Sequence, residues 1–122
     1  LALFGYSEPG ESFNLIDSYI KTNDSAVVMG DSISFNYEIK TNINEETPIR
    51  IEYGIDYMKA NGQHSLKKFY VTDGFFKKSD FSGKKKISFK DLSTRKHYTG
   101  KHKLYLYLNG KKIASTSFTL KA

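Results

Sequence analysis

Two stretches of the sequence alternate apolar and polar residues with a period of two, and this pattern limits the possible fold more than any other feature. In residues 33–40 and again in residues 49–57, nearly every second side chain is Ile, Phe or Tyr. Because successive side chains of a β-strand point to opposite faces, each stretch is predicted to be a strand with one buried face. We expect a core that contains Ile33, Phe35, Tyr37, Ile51, Tyr53, Ile55, Leu104 and Leu106.

Weaker runs of the same kind, separated by turn signals, bring the expected number of strands to about seven. No convincing amphipathic helix follows the first few residues, and residues 75–83 look like a loop. Short strands at such spacing indicate an all-β fold, an immunoglobulin-like antiparallel β-sandwich. The weaker strands are expected at residues 12–22 (with 26–29 continuing the same edge), 66–72, 86–90, 104–108 and 113–120.

The last hairpin tests this prediction, because its turn at Asn109-Gly110 sets which face is buried. A two-residue turn pairs Leu106 with Ile113. A three-residue turn that includes Lys111 pairs Leu106 with Ala114 and keeps the later apolar residues on the leucine face. Since one face has to be buried, we expect the longer turn with a bulge.

The 122 residues fit one domain. The apolar opening segment ends at the sequence Ser-Glu-Pro-Gly, so residues 1–10 are expected to be the junction from a preceding domain and residues 11–122 the sandwich. There is no Cys, and neither a signal peptide nor an apolar run of about 20 residues is visible. Because small secreted sandwiches often need a disulfide, this composition favours the cytoplasm.

Charge is divided unevenly along the chain. Residues 1–56 contain three Lys or Arg and ten Asp or Glu, whereas residues 57–122 contain sixteen Lys or Arg and three Asp or Glu. Such a division is typical of a surface that faces a polyanion beside an acidic surface. The alternative is a lysine-rich surface that only keeps the domain soluble.

Lysines near turns suit contacts with DNA phosphates, which position a protein without reading sequence. Tyrosines among them (Tyr70, Tyr98, Tyr105 and Tyr107) offer rings for stacking on bases, although the last two are more simply explained by packing on the outer face of the sheet. The candidate DNA-binding residues are Lys59, Lys67, Lys68, Lys84, Lys85, Lys86, Arg95, Lys96 and Lys101.

Nothing in the sequence indicates catalysis. Nucleophile, phosphate-loop and dinucleotide glycine motifs are absent, and the three histidines do not have metal-binding spacing, so we predict neither a metal nor a cofactor. Residues 100–104 read Gly-Lys-His-Lys-Leu, which matches the Gly-x-Tyr-x-Cys start of the sixth strand in immunoglobulin-like domains with His for Tyr and Leu for Cys. We therefore interpret His102 as a structural corner residue, inward and hydrogen-bonded, rather than as a catalytic group.

Four segments, residues 59–62, 65–69, 94–102 and 108–110, carry a resemblance to a known family. They read Lys-Ala-Asn-Gly, Ser-Leu-Lys-Lys-Phe, Thr-Arg-Lys-His-Tyr-Thr-Gly-Lys-His and Leu-Asn-Gly. In this order and spacing they resemble the C-terminal domain of bacterial DNA alkylation-repair proteins with HEAT-like repeats, the family related to alkylbase DNA glycosylases. Tyr70 and Ser93 depart from it, at positions where the family usually has Lys and often has Thr.

The resemblance implies an accessory module, because base excision in that family belongs to the helical repeats. It favours a domain that adds non-specific contacts to the DNA backbone. The alternative is a protein-interaction or scaffold module that packs on its own N-terminal helical repeat domain through the acidic half. An extracellular adhesion or carbohydrate-binding sandwich is a third interpretation, disfavoured by the lysine bias.

Overall fold

A computed structural model describes residues 13–90 and 96–122, and within these ranges the chain forms strands and no helix. The junction expected at residues 1–10 lies outside the described residues, as does Arg95. The strands number eight rather than about seven. They are β1 (Leu15–Thr22), β2 (Ala26–Val28), β3 (Ser32–Thr41), β4 (Thr47–Met58), β5 (His64–Phe76), β6 (Asp80–Ser88), β7 (Gly100–Leu108) and β8 (Lys111–Lys121).

The strands form two sheets, which confirms the predicted all-β sandwich. One sheet has the order β1-β3-β6 and the other the order β2-β8-β7-β4-β5. The pairs are antiparallel except that β2 runs parallel to β8. The expectation that residues 26–29 continue the edge formed by the first strand is therefore wrong. After the turn at residues 23–25 the chain crosses to the other sheet, where Val27 pairs with Leu120 and is buried.

The alternating stretches supply the core as predicted. Seven of the eight expected core residues are buried, and Tyr53 is half-buried against them. The Tyr53 ring lies edge-on to Phe35, with ring centroids 5.0 Å apart, and stacks on Phe69 at the same distance. Tyr53 thus connects the core to Phe69 on β5, the edge strand of the larger sheet.

The segment expected to be a loop, residues 75–83, belongs largely to two strands. β5 pairs with β4 as far as Phe76, opposite Thr47, and β6 pairs with β3 from Asp80 onward. Alternation fails to reveal these strands because both lie at sheet edges and carry many exposed side chains. The Phe76 and Phe81 rings pack edge-on at 5.5 Å and close the connection between them.

The last hairpin has the predicted register but not the predicted turn. Leu106 pairs with Ala114, and Phe118 and Leu120 are buried on the leucine face. The turn itself is the two-residue Asn109-Gly110, with φ of 50° and 82°, and the extra residue is a bulge between Lys112 and Ala114. Both positive φ values fit the type I′ turns that suit two-residue hairpins, so the bulge rather than a longer turn corrects the register.

The sheets differ in width, and this difference creates the candidate site. β5 packs mainly on β4, and most of its side chains are exposed. The smaller sheet therefore leaves the inward face of β5 largely uncovered. The inward-facing side chains at the start of β5, Ser65 and Lys67, therefore lie at an open recess, whereas Phe69 farther along the strand packs against the core.

Candidate nucleic-acid interface

A polar pocket of about 390 Å³ lies where β4 turns into β5. The β4–β5 hairpin forms one wall and residues 96–98, which precede β7, form another. Three of its lining residues, Lys59, Lys67 and Lys96, are among the predicted DNA-binding residues. The complete lining is Tyr57, Met58, Lys59, Ser65, Lys67, Lys96, His97 and Tyr98.

Strand register explains how β5 contributes to this pocket. Lys67 pairs with Ile55 and Ser65 pairs with Tyr57, so both side chains lie on the core-facing side of the large sheet. Because the smaller sheet does not extend over β5, they remain exposed rather than buried. Lys67, which faces the same side of the sheet as the core residues, therefore points into the recess.

The hairpin turn places Lys59 at the rim. The Lys59 N–H donates to the Gln63 carbonyl oxygen at 2.7 Å, and its carbonyl accepts the Gly62 N–H at 3.0 Å. Gly62 has a φ of 81°, whereas Asn61 does not have positive φ. This is a three-residue hairpin loop with Gly in the left-handed position. The expected positive φ is therefore found at Gly62 but not at Asn61.

A second depression of about 530 Å³ adjoins the pocket on the hairpin side. The two share Lys59, Ser65 and Tyr98 and so form one cleft. The second depression is lined by Lys59, Ala60, Asn61, Gln63, His64, Ser65 and Tyr98. Its walls therefore offer amide and imidazole groups next to a lysine cluster.

The cleft is positively charged because no carboxylate lines either part of it within the described residues. Among the described residues, ion pairs join Arg50 to Asp73, His64 to Asp56 and Lys68 to Glu52. None of them involves a lysine of the pocket. Three lysines that line one pocket, none of them in an ion pair among the described residues, form an arrangement that attracts anions.

Lys68, the neighbour of Lys67 in sequence, lies on the opposite face of β5 and does not line the pocket. Its Nζ is 3.7 Å from Glu52 Oε1 and 4.0 Å from the centroid of the Tyr107 ring. Tyr107 is only 6% exposed, so its ring cannot stack on a base. Tyr105 has a similar arrangement, with Lys112 Nζ 3.9 Å from its ring centroid.

The other predicted lysines are on different surfaces. The run 84–86 lies within β6 of the smaller sheet, where it pairs with residues 34–36 of β3. Lys85 has the same parity as the buried Phe35 but is exposed at the sheet edge, a position where inward charges discourage edge-to-edge pairing. Lys101 is exposed on β7. The structure thus brings together three of the nine predicted DNA-binding residues.

His102 lies beneath the cleft and is fully buried. Its Nδ1 is 3.1 Å from the Gly100 carbonyl oxygen, and its Nε2 accepts the Met58 N–H at 3.4 Å. Since a carbonyl only accepts, Nδ1 carries the proton. Burial lowers the pKa of His102, partly opposed by the hydrogen bond to Gly100. The ring is therefore neutral and inward, which is the geometry that the corner interpretation requires.

His97 and Tyr57 join the pocket wall to the core, a role that the sequence did not indicate for His97. The His97 ring is buried, 5.0 Å from the Phe89 ring and 5.8 Å from the Tyr57 ring. The sequence offered a signal only for Tyr57, which is the last residue of the alternating run in β4 and so shares the face of the core residues. The described residues contain no group of three or more His, Asp or Glu arranged to hold a metal ion.

Comparison with known proteins assigns the chain. Residues 17–122 match the family described as "Uncharacterised protein YhaZ, C-terminal Ig-like domain". The chain belongs to this family. It is 40% identical over 119 residues to the protein YhaZ of Bacillus subtilis strain 168, a match that covers 97% of this chain and 32% of that protein. The YhaZ-type domain therefore spans about a third of the length of this relative.

Solved structures show the same fold in larger proteins. The alkylpurine DNA glycosylase AlkC of Pseudomonas fluorescens, bound to DNA containing an abasic site analog, matches with a TM-score of 0.78 and 22% identity, over 90% of this chain and 30% of that one. A β-glucosidase of Erythrobacter marinus matches with a TM-score of 0.64 and 9% identity, over 89% of this chain and 15% of that one. At such identities these likenesses show the fold alone.

The YhaZ-type domain is a small immunoglobulin-like module, and folds of this kind are typically non-catalytic. Across residues 13–90 and 96–122 there is no helix with the length and hydropathy needed to cross a membrane.

Proposed function

We propose that this domain is the accessory module of a DNA alkylation-repair protein, to which it adds non-specific contacts with DNA phosphates. Lys59, Lys67 and Lys96 make the principal contacts. The observation that carries the proposal is the convergence of these three lysines, from two separated segments of the chain, on one pocket whose lining among the described residues contains no carboxylate.

Three further observations support a role on DNA. The sixteen basic residues that follow Asp56 provide the positive field that attracts a polyanion. The structure that matches with a TM-score of 0.78 is that of a DNA glycosylase bound to DNA. The four segments that resemble DNA alkylation-repair proteins also include most of the cleft, since residues 59–62, 65–69 and 94–102 contain Lys59, Lys67 and Lys96.

The test is a salt titration of fluorescence anisotropy with a labelled DNA duplex. We expect a Kd on the order of 10⁻⁴ to 10⁻⁶ M near physiological salt, with affinity that falls steeply as salt rises. Changing Lys59, Lys67 and Lys96 to Glu should abolish binding. The matched control changes residues 84–86 to Glu, which alters net charge equally on the smaller sheet, and should retain measurable binding. Equal losses in the two variants, or no binding at low salt, would contradict the proposal.

A second candidate function, a scaffold that packs on the preceding helical repeat domain of the full-length protein, is favoured by apolar side chains on β1. Ile16 is 67% exposed and sits in an irregularity between the paired residues Leu15 and Asp17, while Leu15 and Tyr19 are also exposed. A strand that displays three large apolar side chains to solvent is typical of a surface that another domain covers.

Hydrogen exchange distinguishes this candidate from DNA binding. If the preceding domain packs on β1, backbone amides around Ile16 exchange more slowly in the full-length protein than in the 122-residue chain. Ile16→Asp should remove that protection without changing DNA affinity of the 122-residue chain. Identical exchange in the short and long proteins would exclude packing on this strand.

A further inference from the structure

We propose that the pocket formed by Lys59, Lys67 and Lys96 is a binding site for a phosphate monoester, the group found at a strand end or on a free nucleotide. This inference rests on the proposed function only in that the same pocket contacts nucleic acid. It adds that the pocket prefers a terminal phosphate to the diester groups inside a strand.

Charge is the first argument. An internal phosphodiester carries one negative charge, whereas a phosphate monoester carries about −1.5 to −2 near pH 7 and presents three strong acceptor oxygens. Three lysines line the pocket, and no carboxylate within the described residues lines it. This excess of positive charge suits a dianion better than a single diester.

The donors are the second argument. Each lysine brings up to three N–H donors, and the hydroxyl groups of Ser65 and Tyr98 bring two more to the same lining. Hydrogen bonds from charged donors to phosphate are about twice as strong as neutral ones. A monoester has one more unesterified oxygen than a diester with which to accept them.

Shape is the third argument. The pocket is a recess between the β4–β5 hairpin and residues 96–98, and it continues into the second depression through Lys59, Ser65 and Tyr98. A phosphate in the recess therefore has space beside it for the attached sugar and base. Asn61, Gln63 and His64 line that space with polar groups able to contact a base edge.

The backbone holds these groups in place. Lys67 and Ser65 are on a strand paired along its length with β4, and Lys59 is held by two hydrogen bonds across the hairpin. Beneath them Met58 N–H bonds to the buried His102. The backbone that carries Lys59, Ser65 and Lys67 is therefore already ordered, so only the side chains lose freedom when a ligand binds.

The experiment compares short single-stranded DNA probes labelled at the 3′ end. One probe has a 5′-phosphate, the second has a 5′-hydroxyl, and the third has a 5′-hydroxyl and two additional nucleotides, which bring its negative charge to at least that of the phosphorylated probe. We expect the 122-residue chain to bind the phosphorylated probe about tenfold more tightly than either of the others, the effect of one additional charge-assisted hydrogen bond. Affinity that follows total charge alone would overturn the proposal.

Variants and competitors complete the test. Lys67→Gln with Lys96→Gln should remove the preference, while Lys84→Gln with Lys86→Gln should preserve it. Loss of the preference in the second pair, or its survival in the first, would overturn the assignment to this pocket. Competition by adenosine monophosphate but not by adenosine identifies a free nucleotide as an accepted source of the phosphate, and competition only by phosphorylated strands identifies the strand end.

A circular single-stranded DNA, which has no ends, separates this inference from the proposed function. Salt-dependent binding of the circle without any preference for the 5′-phosphate supports non-specific backbone contacts and refutes the monoester site. A 5′-phosphate preference without binding of the circle supports the monoester site and refutes non-specific backbone contacts.

Discussion

The Nδ1 atom of His102 lies 3.1 Å from the carbonyl oxygen of Gly100, and this contact fixes which ring nitrogen carries the proton of the neutral ring. With Nδ1–H donating to a carbonyl, Nε2 is left to accept the Met58 N–H. The Phe118 ring stacks on the imidazole and the Phe89 ring meets it edge-on, with centroids within 5.5 Å. A proton on Nε2 would therefore remove a hydrogen bond and place a charge among aromatic rings.

The first prediction concerns pH. Because burial lowers the pKa of His102 below its ordinary value of about 6.5, the unfolded chain takes up a proton at a pH where the folded chain does not. The stability that the neutral ring contributes is fully present above about pH 6.5 and is lost as pH falls toward the folded pKa. The free energy of unfolding, measured by urea titration, should therefore fall more steeply below pH 6.5 in the wild type than in His102→Gln.

His102→Gln is a suitable comparison because it keeps a donor and an acceptor but does not titrate. The other ionisable groups near the ring, His97, His64 and Asp56, are present in both proteins, so the two proteins differ only in His102. Parallel curves would mean that His102 is not the group responsible.

The second prediction concerns the core. Phe35 is 1% exposed and packs edge-on against Tyr53. Phe35→Ala should lower the free energy of unfolding by about 3 to 5 kcal/mol, through lost transfer energy and the cavity that remains. Phe75→Ala is the matched control, because Phe75 is 69% exposed and its removal should change stability by less than about 0.5 kcal/mol. Similar effects of the two substitutions in urea denaturation would contradict the sandwich core.

Period-two alternation predicts strands only where one face is buried and the other is not. It located β3 and β4, whose apolar residues lie under the opposing sheet. It failed for β5, because Lys67 has the same parity as core residues yet faces an open recess. It also failed for β2, whose three residues pair in parallel with a strand more than 90 positions away, a relationship that no local pattern encodes.

The candidate site shows the same limit. Sequence proximity grouped Lys67 with Lys68, although neighbours on a strand point to opposite faces, and only Lys67 lines the pocket. Proximity could not show that Lys96 meets Lys59 and Lys67, since the tertiary fold brings together residues about 30 positions apart. The resemblance drew attention to segments that the fold brings to the cleft, but strand register decides which side chain of each segment reaches it.

The third prediction compares the two Asn-Gly turns. Asn109 is buried with a φ of 50°, and its side chain accepts the Arg50 N–H at 2.7 Å and donates to the Pro48 carbonyl at 3.1 Å. Asn109→Ala should cost about 2 to 4 kcal/mol, because it removes both side-chain hydrogen bonds from part-buried backbone groups and places Ala in the left-handed region. Asn61 is exposed and accepts only the Gln63 N–H at 3.0 Å, so Asn61→Ala should cost less than about 1 kcal/mol. Thermal denaturation of the two variants checks this order, and equal costs would contradict it.

The last prediction uses Lys67 and Lys68, adjacent residues on opposite faces of β5. Both lie in the motif that resembles DNA alkylation-repair proteins, but Lys67 lines the pocket while Lys68 is 3.7 Å from Glu52 and covers the Tyr107 ring. A lysine that neutralises a DNA phosphate releases condensed counterions, and its removal lowers the slope of log K against log salt by about one. Lys67→Gln should therefore reduce the slope by about one, whereas Lys68→Gln should change it by much less because its charge is already paired. Anisotropy titrations of one duplex at several salt concentrations give both slopes. If Lys68→Gln lowers the slope as much as Lys67→Gln does, the DNA contacts the outer face of the large sheet and not the cleft.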